Sequence, residues 1–583
     1  MSPPPCELKP GASARSSAVR EEIAAFQGKV DAYLAKTLSA EEFKKCRLQL
    51  GIYGIRGLTD KQMIRVKVPA GRLSAEQMEC LAKLVEEFAT GRGHLTTRQD
   101  VQMYDVPIAR TPELMIRLAE AGLTTREACG NSVRNVTACP FAGLCADERF
   151  DVAPYALAVT QHFLRNPMSQ ALPRKFKISF SGCRHDCAMA PIHDIGAIAA
   201  ESNGRLGFRL YVGGGLGAFP RAAHLLEPFT SVERLLPTCE AILHVFDQHG
   251  ERKNKARARL KFLIERLGFE AFEALVVVER DRLLNETGRF ATLAVPQPLP
   301  ATETNHVSLP TKGSAAFLCW VKTNVAPQRQ AGFMIVTVRL PLGDLAASQM
   351  RQLASLAHRV SQGQLLVTQW QDLCLPWVPH ADLAGVFEEV SRLGLALADA
   401  NRIQDITACP GADTCQIGIT SSRGLATVLT QLLDRPVYKS DDLKGLRIKI
   451  SGCPNSCGQH HIADVGFFGL ARSIEGKLAP HYQLLVGGGC ANGEVRFGRP
   501  VEKIPAKYVP HVVERLLQCY RRQRLDHEPF SAFVDRVGIP ALQQRLREFA
   551  AVKSYAEDPE LFRDWGRTTE FTLAGAGQGE CAS

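Results

Sequence analysis

The sequence predicts an α+β protein made of two similar halves, each a small α+β unit followed by a larger α+β unit. From Gln62 onward, alternating apolar residues and apolar residues at helical spacing predict strand, helix, strand and helix, and the same order returns after Gly332. Motifs further along the chain repeat at a constant separation of 270 positions, which is too regular for chance. We therefore expect two homologous halves related by a pseudo-twofold axis.

Four cysteines of each half belong to this repeat. The segments TACPFAGLC and SGCRHDC of the first half are matched by TACPGADTC and SGCPNSC of the second. Each half thus has a C-x5-C pair and a C-x3-C pair. These pairs are Cys139, Cys145, Cys183 and Cys187 in the first half, and Cys409, Cys415, Cys453 and Cys457 in the second.

Length and composition exclude several classes of protein. A chain of 583 residues with 45% hydrophobic residues is expected to form three or more globular domains. No run of eighteen apolar residues occurs and the start lacks the apolar core of a signal peptide, so we expect a cytoplasmic protein with no membrane partner. Because eight of the eighteen cysteines fall into the two motifs, we expect metal ligation and no structural disulfide.

The net charge of +10 is modest for this length, and the basic residues are spread along the chain. This distribution argues against a nucleic-acid partner. A basic surface can attract an acidic protein or an anionic substrate, or it can serve only to keep the protein soluble.

The remaining elements follow in chain order. The segment SAVREEIAAFQGKVDAYLA has apolar residues at helical spacing and predicts an arm before the first unit. In the helix of the first small unit, one stripe holds Met78, Leu81, Leu84, Val85 and Phe88. Proline, threonine and polar residues from about 295 to 313 predict an exposed linker, and the polar end beyond about 551 predicts a mobile tail.

The cysteines of the second half predict a metal site. Four thiolates in two close pairs suit an iron–sulfur cluster, and the neighbouring proline and glycine residues favour turns that can curl around it. Structural zinc is disfavoured because it usually takes C-x2–4-C spacings. Buried cysteines without a ligand are the other alternative.

TACPGADTC together with SGCPNSCGQ resembles the sulfite and nitrite reductase haemoprotein family, of the ferredoxin-dependent type. The resemblance extends from about Leu48 to Ala551. It implies that the second-half cysteines hold a [4Fe-4S] cluster, that Cys457 also bridges to the iron of sirohaem, and that Asn455 lies beside the macrocycle. It also implies the duplicated pseudo-twofold fold of that family, in which each half has a small ferredoxin-like unit and a larger cofactor-binding unit.

The resulting division has seven parts. They are an N-terminal arm (1–55), a first ferredoxin-like half-domain (56–125), a first sirohaem/[4Fe-4S]-type domain that carries the anion-binding residues (126–295), a linker (296–330), a second ferredoxin-like half-domain (331–396), a second sirohaem/[4Fe-4S] domain with the catalytic cluster (397–550), and a C-terminal tail (551–583).

The family draws its substrate-binding cations from the first half, and four positions match: Arg65, Arg134, Lys175 and Lys177. Lys175 and Lys177 lie two apart on a predicted strand, so both ammonium groups share one face. From pattern alone, a surface arginine and a solvated strand edge are equally good interpretations. Arg98 and Gln102 match residues that bind the carboxylates of sirohaem. His94 stands where some relatives have a further arginine.

The implied reaction is the six-electron reduction of sulfite to sulfide at sirohaem, with electrons arriving through the cluster from ferredoxin or a similar donor. GGGLG and GGGCA lack the G-x-G-x-x-G fingerprint, so the donor is expected to be a separate protein, with a flavoprotein subunit as the alternative to ferredoxin. The VGGG segments at 212–215 and 486–489 predict close approach of the backbone to a cofactor.

Other functions remain open. They are nitrite reduction to ammonia, a non-catalytic electron-transfer or sirohaem-binding role, and precorrin-modifying oxygenase chemistry. Lys177 favours sulfite, because nitrite reductases of the family tend to have Asn there.

Two further expectations concern the first half. Tyr53 and Cys129 resemble a pair that is covalently joined in some family members. Cys139, Cys145, Cys183 and Cys187 predict a second [4Fe-4S] cluster, with or without a tetrapyrrole, that takes no part in substrate reduction. In the second half, the positions equivalent to the four cations are Thr337, Gln404, Gly445 and Arg447. Only Arg447 is charged, which explains why we expect no substrate reduction at the second cluster.

Overall fold

The computed structural model describes residues 17–286, 288–295, 297 and 309–577. The chain begins with helices α1 (Ser17–Leu34) and α2 (Ala40–Gln49). Ser39 and Glu42 form a capping box that starts α2. Val19, Ile23 and Val30 of α1 are buried against the first small unit, so the arm completes the core of that unit.

The first small unit alternates strands and helices as the sequence predicts. Its elements are β1 (Ile52–Gly54), β2 (Lys61–Val66), β3 (Arg72–Ser74), α3 (Ala75–Phe88), β4 (Arg92–Leu95), β5 (Val101–Pro107) and α4 (Thr111–Glu120). The predicted stripe of α3 is fully buried, from Met78 to Phe88. Ser74 and Gln77 close a capping box at the start of α3.

The first larger unit is a five-stranded sheet covered by helices. Its elements are β6 (Thr137–Ala138), α5 (Ala153–Phe163), β7 (Ile178–Ser181), β8 (Ile195–Ser202), β9 (Arg205–Val212), β10 (His224–Ser231), α6 (Val232–His249), α7 (Leu260–Leu267) and α8 (Phe269–Leu284). The strand order is β10-β9-β8-β7-β6, and β6, β7 and β8 run parallel to one another.

The second half repeats both units. Its small unit has α9 (Ala315–Asn324), β11 (Val325–Pro327), β12 (Phe333–Val338), β13 (Asp344–Ala346), α10 (Ala347–Val360), β14 (Gln364–Val367), β15 (Leu373–Pro379) and α11 (Leu383–Arg392). Its larger unit has β16 (Thr407–Ala408), α12 (Ser422–Leu433), β17 (Ile448–Ser451), β18 (Val465–Ile474), β19 (Lys477–Val486), β20 (Gly489–Ala491), β21 (Glu494–Arg496), β22 (Arg499–Pro505), α13 (Val509–Gln523), α14 (Phe530–Val537) and α15 (Ile539–Leu546).

The two small units exchange strands. β13 of the second half pairs with β4, and β3 of the first half pairs with β14, so each five-stranded sheet takes its outermost strand from the other half. The buried side chains of both small units form one continuous core. The halves are therefore joined through backbone hydrogen bonds and a shared core rather than through a linker alone.

The structure differs from the sequence prediction at the linker and at the tail. The predicted linker contains α9 and β11, and Trp320 of α9 is buried in the shared core. In the predicted mobile tail, Leu561 and Phe562 are buried against Ala479, and the Trp565 indole donates to the Ala506 carbonyl (2.8 Å). Both segments contain apolar residues next to polar stretches, and some of these apolar residues pack into the cores. No helix of the described chain has the length and apolar character needed to cross a membrane.

A pair of glycines tests the junction between the halves. Gly71 (φ +71°) lies against the Val367 carbonyl and the Gln99 side chain, whereas Gly91 (φ +74°) has open space where a Cβ would be. We expect Gly71→Ala and Gly91→Ala both to lose roughly 1–3 kcal/mol of unfolding free energy from backbone strain. Gly71→Ala should lose about 1–3 kcal/mol more from the clash with β14. Equal losses in chemical denaturation would show that the junction is not tightly packed there.

Candidate functional site

The cysteines of the second half meet because the strands before them are parallel. β16 and β17 pair in register, so their carboxyl ends lie at the same edge of the sheet. Cys409 directly follows β16, and Cys453 comes two residues after β17. Cys415 and Cys457 lie in the turns that continue from these two positions, and Cys457 is the exposed member of the set.

The surroundings of these four thiols fit an iron–sulfur cluster. The Gly452 amide donates to the Cys409 sulfur (3.2 Å), and burial raises the pKa of Cys409, that of Cys453, and that of Cys415 to about 12. Thiols in such a place are costly to ionise unless a bound cation compensates the charge. A Cβ on Gly452 would clash with Gly411 of the facing turn, so glycine allows the two turns to close together. In the described ranges no three His, Cys, Asp or Glu side chains are placed to hold a single metal ion.

Three of the four predicted substrate cations lie on two paired segments of the first half. Phe176 forms a parallel bridge with Val133, and the Arg134 amide donates to the Phe176 carbonyl (2.9 Å), which sets Arg134 beside Lys175 and Lys177. Phe176 is buried while the lysines on either side of it are half-buried, so both lysines face away from the core. The backbone pairing thus places Arg134 next to the segment of Lys175 and Lys177.

Lys177 lies within electrostatic reach of Cys457 of the other half. Its pKa lies well below the ordinary value because of burial first, and then because of Arg98, Arg259 and Lys175, while Cys457 acts in the opposite direction. The Lys177 amide donates to the Asp194 carboxylate (2.8 Å), which Arg259 also binds. Asp194 and Arg259 therefore fix the backbone of this segment.

Arg65 reaches the same region from β2. Arg65 lies opposite Gln102 in the register of β2 and β5. When the amide oxygen of Gln102 is turned toward Arg65, this oxygen accepts hydrogen bonds from Nε (3.0 Å) and Nη2 (2.6 Å) of the guanidinium. Burial lowers the pKa of Arg65, but Tyr53 and Asp100 together raise it above its ordinary value. Arg134 is held by the carbonyls of Ala128 (2.9 Å) and Gly130 (2.9 Å).

The turn that joins β4 and β5 touches the second half directly. The Thr97 hydroxyl donates to the Cys457 carbonyl (2.9 Å). The adjacent Arg98 binds the His193 ring (2.6 Å) and the Asn135 carbonyl, and its Nε is buried without a partner in the described chain. Burial lowers the pKa of Arg98 to about 10. A half-buried guanidinium with an unsatisfied Nε, adjacent to the residue that contacts Cys457, fits a carboxylate-bearing macrocycle such as sirohaem.

Some predicted positions serve another role. His94 is buried and binds Asp344 of the exchanged strand β13 (2.9 Å), and Arg423 binds the same carboxylate. A Cβ on Gly214 or Gly488 would meet protein carbonyls, of Pro191 and His461 respectively. In the structure, the VGGG segments therefore allow close approach to backbone.

Several residues that shape the site were not predicted: Asp100, Asp194, His193 and Arg259. The internal repeat could have indicated Asp100 and Asp194, because both aspartates recur in the second half, where TRQD is matched by QWQD and HDIG by ADVG. Asp464, the equivalent of Asp194, accepts from the Arg447 amide (2.9 Å) in the same way. Asp372, the equivalent of Asp100, is likewise buried.

The remaining predicted residues are placed as follows. Gln102 is buried beneath Arg65, and Asn455 is exposed in the turn between Cys453 and Cys457. The first-half cysteines Cys139, Cys145, Cys183 and Cys187 also meet, after the parallel strands β6 and β7. None of the sixteen cysteines in the described chain forms a disulfide.

Family models match most of both halves. The model described as "Nitrite and sulphite reductase 4Fe-4S domain" matches residues 129–282 and 399–553, and "Nitrite/Sulfite reductase ferredoxin-like half domain" matches residues 56–121 and 326–393.

Named relatives cover most of the chain. It is 28% identical to the assimilatory ferredoxin-dependent nitrite reductase of Haloferax mediterranei, over 90% of this chain and 91% of that protein. It is 30% identical to the chloroplastic ferredoxin–nitrite reductase of Arabidopsis thaliana, over 73% and 71%. It is 27% identical to sulfite reductase (ferredoxin) 1 of Mycolicibacterium paratuberculosis, over 81% and 82%.

One solved structure is similar over nearly the whole fold. The NirA protein of Mycobacterium tuberculosis superposes with a TM-score of 0.76 at 25% identity, covering 91% of this chain and 96% of that one. The predicted duplicated α+β fold is thereby confirmed.

The surroundings of Tyr53 permit a test of the predicted link to Cys129. The Tyr53 hydroxyl donates to the Ala128 carbonyl (3.0 Å), next to Cys129, which is fully buried. We expect peptide mass spectrometry to find one joined Tyr53–Cys129 peptide that is lighter by two hydrogens than the sum of its parts. Cys129→Ser should release an unmodified Tyr53 peptide. Two separate unmodified peptides from the unsubstituted protein would contradict the prediction.

Proposed function

The chain belongs to the nitrite and sulphite reductase family, and from this premise we propose that it catalyses the six-electron reduction of sulfite to sulfide. Membership makes it an oxidoreductase with sirohaem and a [4Fe-4S] cluster as cofactors. The observation that carries the proposal is the contact of the first half with Cys457 of the second, where the Thr97 hydroxyl donates to the Cys457 carbonyl (2.9 Å) and Lys177 lies near enough for its charge to interact with the thiol. A bound anion favours the protonated form of Lys177, and such a cation beside the proposed cofactor ligand is what an oxyanion reductase requires.

Four residues of the first half are proposed to bind the substrate: Arg65, Arg134, Lys175 and Lys177. Guanidinium groups stay protonated throughout the working pH range, so Arg65 and Arg134 supply charge and fixed hydrogen bonds. Lys175 and Lys177 carry protons that can be passed to departing oxygens. Each charge-assisted hydrogen bond to the anion is worth roughly 1.5–3 kcal/mol.

The cofactors are assigned to the second half and its border with the first. Cys409, Cys415, Cys453 and Cys457 would hold the cluster, with Cys457 also a ligand of the sirohaem iron. Arg98 and Gln102 would bind the macrocycle carboxylates, and Asn455 would lie beside the ring. When bound, sirohaem and the cluster supply an open iron position and single electrons to the anion.

The proposed electron donor is ferredoxin. The names of the Haloferax nitrite reductase and of the Mycolicibacterium sulfite reductase both include ferredoxin. The net charge of +10 suits an acidic protein donor.

Nitrite reduction to ammonia is the second candidate. It is favoured by the relatives, among which the Haloferax and Arabidopsis proteins are nitrite reductases. Sulfite is preferred here because it is larger and more highly charged near neutral pH, and therefore gains more from a second ammonium beside Lys175.

Replacing Lys177 by Asn tests this choice. We expect the ratio of kcat/KM for sulfite to that for nitrite to fall about tenfold or more, because one charge-assisted hydrogen bond of roughly 1.5–3 kcal/mol is lost from the more charged anion. Both substrates should be assayed with one reduced donor. Arg447→Asn, at the equivalent position of the second half, is the matched control and should leave the ratio unchanged. A kcat/KM for nitrite far above that for sulfite in the unsubstituted enzyme would overturn the sulfite assignment.

Replacing Cys457 by Ser tests the cofactor assignment. We expect turnover to be abolished and the visible spectrum of the tetrapyrrole to change, because a hydroxyl is a poor ligand for a cluster iron. Cys490→Ser is the control, since Cys490 is half-buried and lies outside both motifs. An unchanged spectrum in Cys457→Ser would remove Cys457 from the coordination of the sirohaem iron.

A further inference from the structure

The cysteines of the first half form a second set whose four sulfurs lie close to one another. The backbone joins the two pairs, since Glu148, whose amide donates to the Cys145 carbonyl (3.4 Å), forms an antiparallel bridge with Cys183. The thiols are near enough to change one another's pKa, Cys145 with Cys183, Cys183 with Cys187, and Cys187 with Cys139. Cys139 and Cys183 are almost completely buried, with 3% and 1% of their surface exposed. Four thiols that converge in this way after two parallel strands form a ligand set rather than four unrelated packing residues.

The turns around this set have the same construction as those of the second half. Cys139 follows β6 and donates its amide to the Phe180 carbonyl of β7 (2.8 Å), as the Cys409 amide does to Ile450 (3.2 Å). The Glu148 side chain reaches into the first-half turns, where one of its oxygens accepts from the Gly143 amide (2.9 Å) and the other is buried without a partner in the described chain. Burial raises the pKa of Glu148 to about 8.

Positive charge lies over these thiols at the protein surface. Arg149, Arg184, His185 and Arg209 line a cavity of about 450 Å³. Arg184 and His185 are exposed in the turn between Cys183 and Cys187. The acidic residues bound to this group are exposed: Asp147 lies 3.3 Å from His185, and Glu201 lies 3.9 Å from Arg149. Nearby cations stabilise thiolates and the net negative charge of a cluster bound by four of them.

The space next to this set that corresponds to the tetrapyrrole site is filled by apolar side chains. Arg98 and Gln102 correspond to Trp370 and Cys374, and His94 corresponds to Leu366. Leu366 and Cys374 pack with Leu144 and Ile335 in a small buried cluster, and the Phe141 ring lies 6.2 Å from that of Trp370. These side chains offer neither room nor charge to an eight-carboxylate macrocycle.

The cations of the second half that correspond to the substrate-binding segment are also engaged. Arg447 donates to the Asn401 side chain (3.0 Å), and Lys449 donates to the Gln459 side chain (2.6 Å). Arg339 binds the carbonyls of Ala398 (3.1 Å) and Gln404. An anion at this place would have to displace internal partners.

We infer that Cys139, Cys145, Cys183 and Cys187 hold a second [4Fe-4S] cluster that carries no tetrapyrrole. The inference does not depend on which anion the enzyme reduces, since it rests on the first-half thiols, the cations above them and the apolar filling beside them.

The ratio of acid-labile sulfide to extracted tetrapyrrole tests the inference on the unsubstituted protein. The full chain is purified anaerobically and reconstituted with iron and sulfide. Two clusters and one tetrapyrrole give about eight sulfides per tetrapyrrole, against about four for one cluster. A ratio near four sulfides per tetrapyrrole would overturn the inference. It would mean either that the protein holds one cluster and one macrocycle, or that it holds two clusters with one macrocycle each. Zinc bound in stoichiometric amount at the first-half cysteines would also overturn it.

Cys183→Ser should lower this ratio from about eight to about four while the sirohaem spectrum stays unchanged. Cys145→Ser, which replaces a half-buried ligand of the same set, should lower the ratio to about four as well. This second variant allows the measurement to be made if Cys183→Ser is insoluble. Cys319→Ser is the control, because Cys319 is exposed on α9 outside both motifs, and it should keep the ratio near eight. An unchanged ratio in both ligand variants, or loss of the tetrapyrrole from them, would exclude the assignment. Turnover of sulfite and nitrite is measured separately, so failure of the proposed reaction would be distinguishable from failure of this site.

Discussion

The exchange of strands between the two small units determines where the proposed active site can form. β13 adds to β4, and β3 adds to β14, so the sheets cannot separate without breaking backbone hydrogen bonds in both halves. The turn after β4 carries Thr97 and Arg98, and the exchange holds this turn against the Cys457 carbonyl. Residues from one half therefore meet the cysteines of the other, and neither half contains the whole constellation.

The ion pairs at this junction specify geometry more than they add stability. Asp344 of β13 accepts from His94 of β4 and from Arg423 of α12, which ties three elements at one carboxylate. Buried ion pairs often contribute little net stability because both partners lose their hydration, whereas their directional hydrogen bonds permit few alternative arrangements. His94 lies within this network, buried and bound to Asp344. It fixes the strand from which Arg98 follows.

The sequence allowed the duplicated fold to be predicted, and it predicts that Lys175 and Lys177 share one face, but it did not reveal how their segment is anchored. The repeat and the period-two alternation around Lys175 and Lys177 carry their information locally, so they can be interpreted from one sequence. The partners of this segment, Asp194 and Arg259, lie 17 or more positions away and have no local pattern. The tail was mispredicted for a related reason, since Leu561 and Phe562 are two apolar residues in a polar stretch and only the tertiary fold provides a surface for them.

The duplication produced two thiol sets but only one face that suits a small anion. A pseudo-twofold axis places first-half residues opposite the second-half thiols and second-half residues opposite the first-half thiols. Arg65, Arg134 and Lys175 on the first face have uncharged counterparts at Thr337, Gln404 and Gly445 on the other. The remaining cations on that second face donate to internal oxygens, as Arg447 does to Asn401. Because electrostatic binding of an anion grows with the number of cations around it, differences at these few positions favour the first-half face as the proposed substrate site. The cysteines were not under the same constraint, since a cluster needs only its four sulfurs and a compensating charge, and the first half has kept both.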